Sequence, residues 1–128
     1  MILDTSAIVA IVRQEHGYER MEEAIAAFPS AGAGTPTLAE TGIVLTAKLG
    51  LRGRNLLVRF IYEAKVVPVL FQEDHWREAV AAHARFGKGR HPARLNLGDC
   101  LTYAVAKLAD QPLLTLDPGF AHTDLELV

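Results

Sequence analysis

Ile2 and Leu3 form an apolar pair stopped by Asp4, the pattern of a short buried strand, and the apolar stretch after Thr5 reads as a helix that Ser6 can cap. Tyr18, Met21, Ile25 and Phe28 recur at helical spacing behind Glu15, Glu19, Glu22 and Glu23, which predicts an amphipathic helix ended by Pro29. Ser30 to Gly34 reads as loop or a short strand weakened by glycine. Thr35 and Pro36 open a helix that carries Leu38, Ile43 and Leu45 toward Gly50, because proline at the first helical position loses only an amide that had no partner. After the break from Gly50 to Gly53 a further helix is predicted from Arg54 to Glu63.

Val66, Val67, Val69 and Leu70 form a β-branched run read as a strand, and Pro68 places it at an edge or an irregular position. Asp74 then opens a helix through Arg85, with Trp76, Val80 and His83 marking one face. Phe86 to Leu97, with Gly87, Gly89 and Pro92 among cations, reads as loop, and Asp99 to Ala109 has Leu101, Val105 and Leu108 at helical spacing. Pro112 to Leu116 reads as a strand ended by the Asp117-Pro118-Gly119 turn, and Leu125 to Val128 as a possible last strand. Strands separated by one or two helices call for crossover connections, hence a mostly parallel sheet covered on both faces: a three-layer α/β/α sandwich. Ligands in such sheets bind outside the carboxyl ends of the strands, which puts Asp4 and Asp117 on one rim.

Composition narrows the class. The chain has 128 residues, 50% hydrophobic and 22% charged, which predicts a single globular domain over residues 1–128 and excludes intrinsic disorder. Thirteen Lys and Arg against fifteen Asp and Glu leave a net charge of −2, so no global positive field holds a polyanion. The single cysteine, Cys100, excludes an internal disulfide and a multi-cysteine zinc site, fits a reducing compartment, and reads as a small packed residue. The longest apolar run, Ala7 to Val12, is far short of the roughly 20 residues that span a bilayer, and Asp4 interrupts any signal-peptide pattern, so no membrane association and a cytoplasmic location are expected.

Four acids stand in apolar or turn surroundings rather than in the solvated charge runs: Asp4, Glu40, Asp99 and Asp117. Each aspartate also has a plain structural role open to it, as a cap, a helix N-terminal charge or a turn initiator, whereas Glu40, between Ala39 and Thr41 in an apolar helix, has no obvious partner for such a role. Two like charges about 4 Å apart repel by roughly 1 kcal/mol in water and roughly 4 kcal/mol at an effective dielectric of 20, so converging carboxylates need a shared proton or a cation. A hard divalent metal is the obvious compensator.

The segments Asp4-Thr5-Ser6-Ala7, Thr37-Leu38-Ala39-Glu40-Thr41, Asn96-Leu97-Gly98-Asp99-Cys100 and Leu114-Thr115-Leu116-Asp117, in this order and spacing, resemble the PIN domain, and more narrowly the VapC-type ribonuclease toxins of bacterial toxin–antitoxin pairs. The likeness runs from Met1 to about Asp124. It implies a Rossmann-like α/β/α sandwich in which Asp4, Glu40, Asp99 and the more variable Asp117 bind Mg²⁺ or Mn²⁺ and hydrolyse RNA phosphodiesters. Carboxylate oxygens suit these ions, which lower the pKa of a bound water and stabilise a leaving oxygen, so no Ser, Cys or His nucleophile is required. Thr5, Ser6, Thr115 and Asn96 lie beside the acids, where they can orient a carboxylate or water, with capping and turn roles equally open.

Arg85, Lys88, Arg90 and Arg94, with His91, form an acid-free stretch of charge +4 before Asp99, readable as an RNA approach path or as a solvated loop. Four phosphate contacts on a single strand predict a salt slope of roughly 0.7 × 4, near 3. A second basic set, Lys48, Arg52, Arg54 and Arg59, reads more simply as a solvated helix end. The resemblance also implies a small VapB-like antitoxin in a groove leading to the acids, and a homodimer or toxin–antitoxin hetero-oligomer. Ile8, Ile11, Tyr18, Met21, Leu56 and Phe60 suit either that groove or the core. Two other functions compete: a non-catalytic PIN-like RNA- or protein-binding domain, which would be expected to have lost an acid, and a phospho-acceptor module, which would want adjacent acids after the first strand.

Overall fold

The computed structural model describes residues 1–128. In chain order it contains β1 (Ile2–Leu3), α1 (Thr5–Val12), α2 (Tyr18–Ala27), β2 (Gly32–Gly34), α3 (Thr35–Leu49), α4 (Leu51–Glu63), β3 (Val67–Val69), α5 (Glu73–Phe86), α6 (Leu97–Ala109) and β4 (Leu113–Leu114), then a 3-10 helix over Pro118–His122. All four strands are parallel, in the order β3-β2-β1-β4. Ile2 stands opposite both Gly32 and Leu113, and Leu3 opposite Leu114.

Alternate residues of a strand face opposite sides, so the two-residue strands split between two cores. Leu3, Ala33 and Leu114 pack with Ala7, Ile8, Ile11, Met21, Leu45 and Leu57 from α1 to α4. Ile2 and Leu113 pack with Ala79, Phe86, Tyr103, Val105 and Phe120 from α5, α6 and the 3-10 helix. This is the expected α/β/α sandwich. Full burial of a residue such as Leu3 or Leu45 is worth about 1.5–3 kcal/mol. No helix is long and apolar enough to cross a membrane.

Within the Ser30 to Gly34 stretch, Gly32–Gly34 forms an inner strand. A Cβ at Gly34 would lie 2.8 Å from Val105 Cγ2, so glycine lets α6 pack close to the sheet there. Pro68 sits in edge strand β3, where its missing amide costs no ladder bond. The last predicted strand reduces to a parallel bridge between Leu113 and Leu127.

Several predicted boundaries move. Asp4, not Ser6, caps α1, because its carboxylate accepts from the Ser6 amide and the helix starts at Thr5. Helix α4 starts at Leu51 rather than Arg54, since Gly50 alone, at φ 67° and ψ −154°, makes the break and Gly53 is helical. Helix α6 starts at Leu97, before Asp99, because Asn96 caps it. On α5 the inward face is His75, Ala79, Ala82 and Phe86, while Trp76 and Val80 are 46% and 62% exposed, since small residues let α5 approach α6. Ile8, Ile11 and Met21 are buried in the core, which leaves them little to offer a groove, while Tyr18 and Phe60 are only partly buried against it and Phe60 lines a surface cavity.

Helices α3 and α4 pack so closely that a Cβ at Gly53 would overlap the Leu45 carbonyl oxygen. Backbone cannot yield as a side-chain tip can, so Gly53→Ala is expected to destabilise the protein by about 1–3 kcal/mol despite the better helix propensity of alanine. Urea unfolding midpoints check this.

Candidate functional site

The chain runs outward from β1 through β2 to β3 and then returns to the other side of β1 for β4. That reversal opens a crevice at the carboxyl ends of β1 and β4, where this fold class binds ligands. A cleft of about 490 Å³ lies there, lined by Asp4, Thr5, Ser6, Glu40, Asn96, Asp99 and Asp117 among others. All four acids singled out in the sequence thus meet in one place, with three of the four neighbouring polar residues in the same wall.

Asp4 follows β1 and is only 5% exposed. Its Oδ2 accepts from Ser6 Oγ at 2.7 Å and Thr115 Oγ1 at 2.9 Å, and its Oδ1 accepts from Thr102 Oγ1 at 3.3 Å. The two hydroxyls on Oδ2 also accept from the β4 exit: Leu116 N–H donates to Ser6 Oγ at 2.9 Å and Asp117 N–H to Thr115 Oγ1 at 3.0 Å. Thr115 therefore takes part although it lies behind the cleft wall. Thr102, on α6, also lies 3.0 Å from Thr37 Oγ1 on α3, so a buried hydroxyl chain runs beneath the site.

Glu40 projects from α3 with its Oε1 accepting from Thr5 Oγ1 at 2.6 Å, and Thr41 Oγ1 stands 3.2 Å behind Thr5. Asp99 forms a capping box with Asn96: its amide donates to Asn96 Oδ1 at 2.9 Å and its Oδ2 accepts from the Asn96 amide at 3.0 Å. Asp117 caps the 3-10 helix, its Oδ1 accepting from Gly119 N–H at 2.7 Å. Thr37, Thr41 and Thr102 escaped the sequence reading. A visible signal was there, since β-branched threonines in helices, three residues from Glu40 and Asp99 at Thr37 and Thr102 and next to Glu40 at Thr41, are costly without a purpose.

Burial pushes the Asp99 carboxyl up to about 6, against the Asn96 amide bond that lowers it, and the negative charges of Asp117, Asp4 and Glu40 add to the rise. The anions therefore feel one another, and no three close on a single point. Hard oxygen donors under mutual repulsion are the ligand type that a divalent cation of the Mg²⁺ or Mn²⁺ class takes, and in this arrangement they match it in chemistry but are not drawn together around one point. Cys100, beside Asp99, is buried and its thiol is pushed up to about 11 by burial and by the Asp99 charge, so it is no nucleophile at neutral pH.

The basic stretch lies apart from this cleft. Lys88, Arg90 and Arg94 are exposed on a loop closed by the Gly87–Leu95 bridge, and Ala93 packs its carbonyl against Gly119 beside the Asp117 turn. His91 is used inside the loop, its Nδ1 accepting from Ala93 N–H at 3.1 Å and its ring edge-on to Phe86. Arg85 turns toward Asp124, 3.7 Å away, with its guanidinium over Phe86. The cations that do line the cleft are Arg13 and Lys48.

A model of the PIN domain matches residues 1–126, and the chain belongs to the PIN-domain family. Among its relatives, Ribonuclease VapC36 of Mycobacterium tuberculosis is 43% identical over 98% of this chain and 91% of its own. Ribonuclease VapC of Mycolicibacterium smegmatis is 41% identical over 100% and 99%. Within the family the chain thus stands with the VapC ribonucleases. The fold matches that of VapC20 of Mycobacterium tuberculosis, a Sarcin-Ricin loop cleaving toxin, with a TM-score of 0.80 at 17% identity over 99% of this chain and 97% of the other.

Two expectations follow. With a folded-state value near 6 and an unfolded value near 3.9, Asp99 binds more protons folded than unfolded between those limits, so stability falls as pH rises from about 4 to about 6. Denaturant midpoints across that range, in chelator, are expected to fall for the parent and to stay flatter for Asp99→Asn. A Cβ at Gly98 would overlap Glu40 Oε2, the free end of a flexible side chain. Gly98→Ala is therefore expected to keep the fold but displace Glu40, lowering ribonuclease activity by about 10- to 100-fold and adding little to Glu40→Gln.

Proposed function

We propose that the protein is a metal-dependent endoribonuclease toxin, and the convergence of Asp4, Glu40, Asp99 and Asp117 at the β1/β4 crevice carries that reading. The four carboxylates are the residues that would hold Mg²⁺ or Mn²⁺. The ion, when bound, supplies an acidic water and a positive charge for the phosphate and the leaving oxygen.

The chain's own residues set the geometry. Ser6, Thr115 and Thr102 fix both oxygens of Asp4, so it is presented in one orientation. Thr5 turns Glu40 toward the cleft, and the capping box leaves Asp99 Oδ1 free while Oδ2 is engaged. In the same way Asp117 keeps Oδ2 free. Exposed Lys88, Arg90 and Arg94, on the loop that meets the Asp117 turn through Ala93, offer charge for an RNA backbone, whereas Arg85 is drawn to Asp124. A recessed acidic cleft suits unpaired RNA, whose strand can be splayed to present a phosphate.

An antitoxin of the VapB kind is part of this reading. It is supported by VapBC2 of Rickettsia felis bound to promoter DNA, which shares the fold with a TM-score of 0.77 at 19% identity over 99% of this chain and 96% of the other.

The test is cleavage of single-stranded RNA by the purified protein with Mg²⁺, with Mn²⁺ and with chelator. Chelator is expected to abolish cleavage. Asp4→Asn and Asp99→Asn are expected to lower it by roughly 10³-fold or more, the several kcal/mol of charge stabilisation that a bound ion supplies. Undiminished cleavage by either variant would overturn the site.

A further inference from the structure

The acid cleft extends beyond the acids. Its other end is lined by Arg13 and Lys48, with Val9 and Val44 between them and the carboxylates. Glu40, Val44 and Lys48 follow one another at four-residue spacing on α3, so they stack along one helix face, and Lys48 stands about 12 Å beyond Glu40 at 1.5 Å per residue. Arg13 ends α1, the helix that Asp4 caps. Two neighbouring helices thus each carry an acid at the sheet rim and a cation about two turns farther along the same cleft.

These cations do not neutralise the acids. Neither comes within ion-pair distance of a site carboxylate. Nor are they held by short ion pairs as Arg59, Arg77 and Lys107 are by Glu63, Glu73 and Asp124. Lys48 has no ion pair, and Arg13 has one loose exposed contact, to Glu15 Oε1 at 3.7 Å, weak enough for a phosphate to displace.

We infer that Arg13 and Lys48 form a phosphate subsite for single-stranded RNA in the same cleft as the acids, with Glu15 as its competitor. The inference rests on the ribonuclease reading and specifies its substrate. A stacked strand advances about 3.4 Å per nucleotide, so the subsite engages the backbone roughly three to four nucleotides from the scissile bond, and fewer in an extended strand. It thereby sets a minimum substrate length.

The experiment takes a labelled single-stranded RNA with one mapped cleavage site, shortened stepwise from each end, with parent, Arg13→Ala/Lys48→Ala, Glu15→Gln and Lys88→Ala/Arg90→Ala proteins. The double cleft variant is expected to raise KM about tenfold with kcat within about twofold, and to lower the salt slope by roughly 0.7 × 2, about 1.4. Its penalty is expected to vanish for RNAs trimmed at one end only. Glu15→Gln is expected to lower KM. Fluorescence anisotropy of the same RNA on an Asp99→Asn background reads binding without turnover, and there too the cleft variant should bind about tenfold more weakly. Parent-like KM and anisotropy at every length, as for solvated helix ends, would overturn the subsite while leaving the nuclease intact. A parent that binds through the cleft but cuts nothing with either metal would instead overturn the nuclease reading.

Discussion

Asp4 places a carboxylate in the protein's interior, and that single buried charge constrains much of the rest. An ionised group taken out of water is tolerable only when its oxygens are hydrogen-bonded. The donors come from three separated parts of the chain: Ser6 in α1, Thr102 in α6 and Thr115 after β4. Ser6 and Thr115 then receive the amides of Leu116 and Asp117, which ties the exit of β4 to the start of α1. The anion thus sets where two strands end, where one helix begins and how close α6 lies.

The remaining acids show how structural and chemical roles coexist. Asp99 and Asp117 each use one carboxylate oxygen to cap a helix and leave the other for the cleft. A cap is therefore no rival to a ligand role, because a carboxylate has lone pairs for both. Capping also holds like charges close together at helix starts, where partial positive charge offsets some of the repulsion. Glu40 has no cap to make. It is held instead by Thr5 and admitted by the missing side chain of Gly98.

Charge is distributed along the cleft in a way that the net value of −2 conceals. Acids crowd the sheet rim, Arg13 and Lys48 share their cleft, and the basic loop meets the Asp117 turn through Ala93. The local field therefore changes sign within one cleft, which a summed charge cannot show.

The order of elements, the parallel sheet and the four acids were legible because each leaves a local mark: an apolar pair ended by Asp4, helical periodicity, and acids standing outside the solvated charge runs. Boundaries shifted where a side chain two or three residues upstream made the cap, as Asp4 does for α1 and Asn96 for α6. The glycines of β2 looked like a weak strand because propensity knows nothing of α6 packing close against Gly34. What composition and pattern determined alone was the class of fold and the kind of chemistry, since burial and donor type are properties of single residues. Which cations share the acids' cleft was decided only by the tertiary structure. Arg13 and Lys48 are far apart in sequence and unremarkable there, and only the side-by-side packing of α1 and α3 aligns them with Asp4 and Glu40.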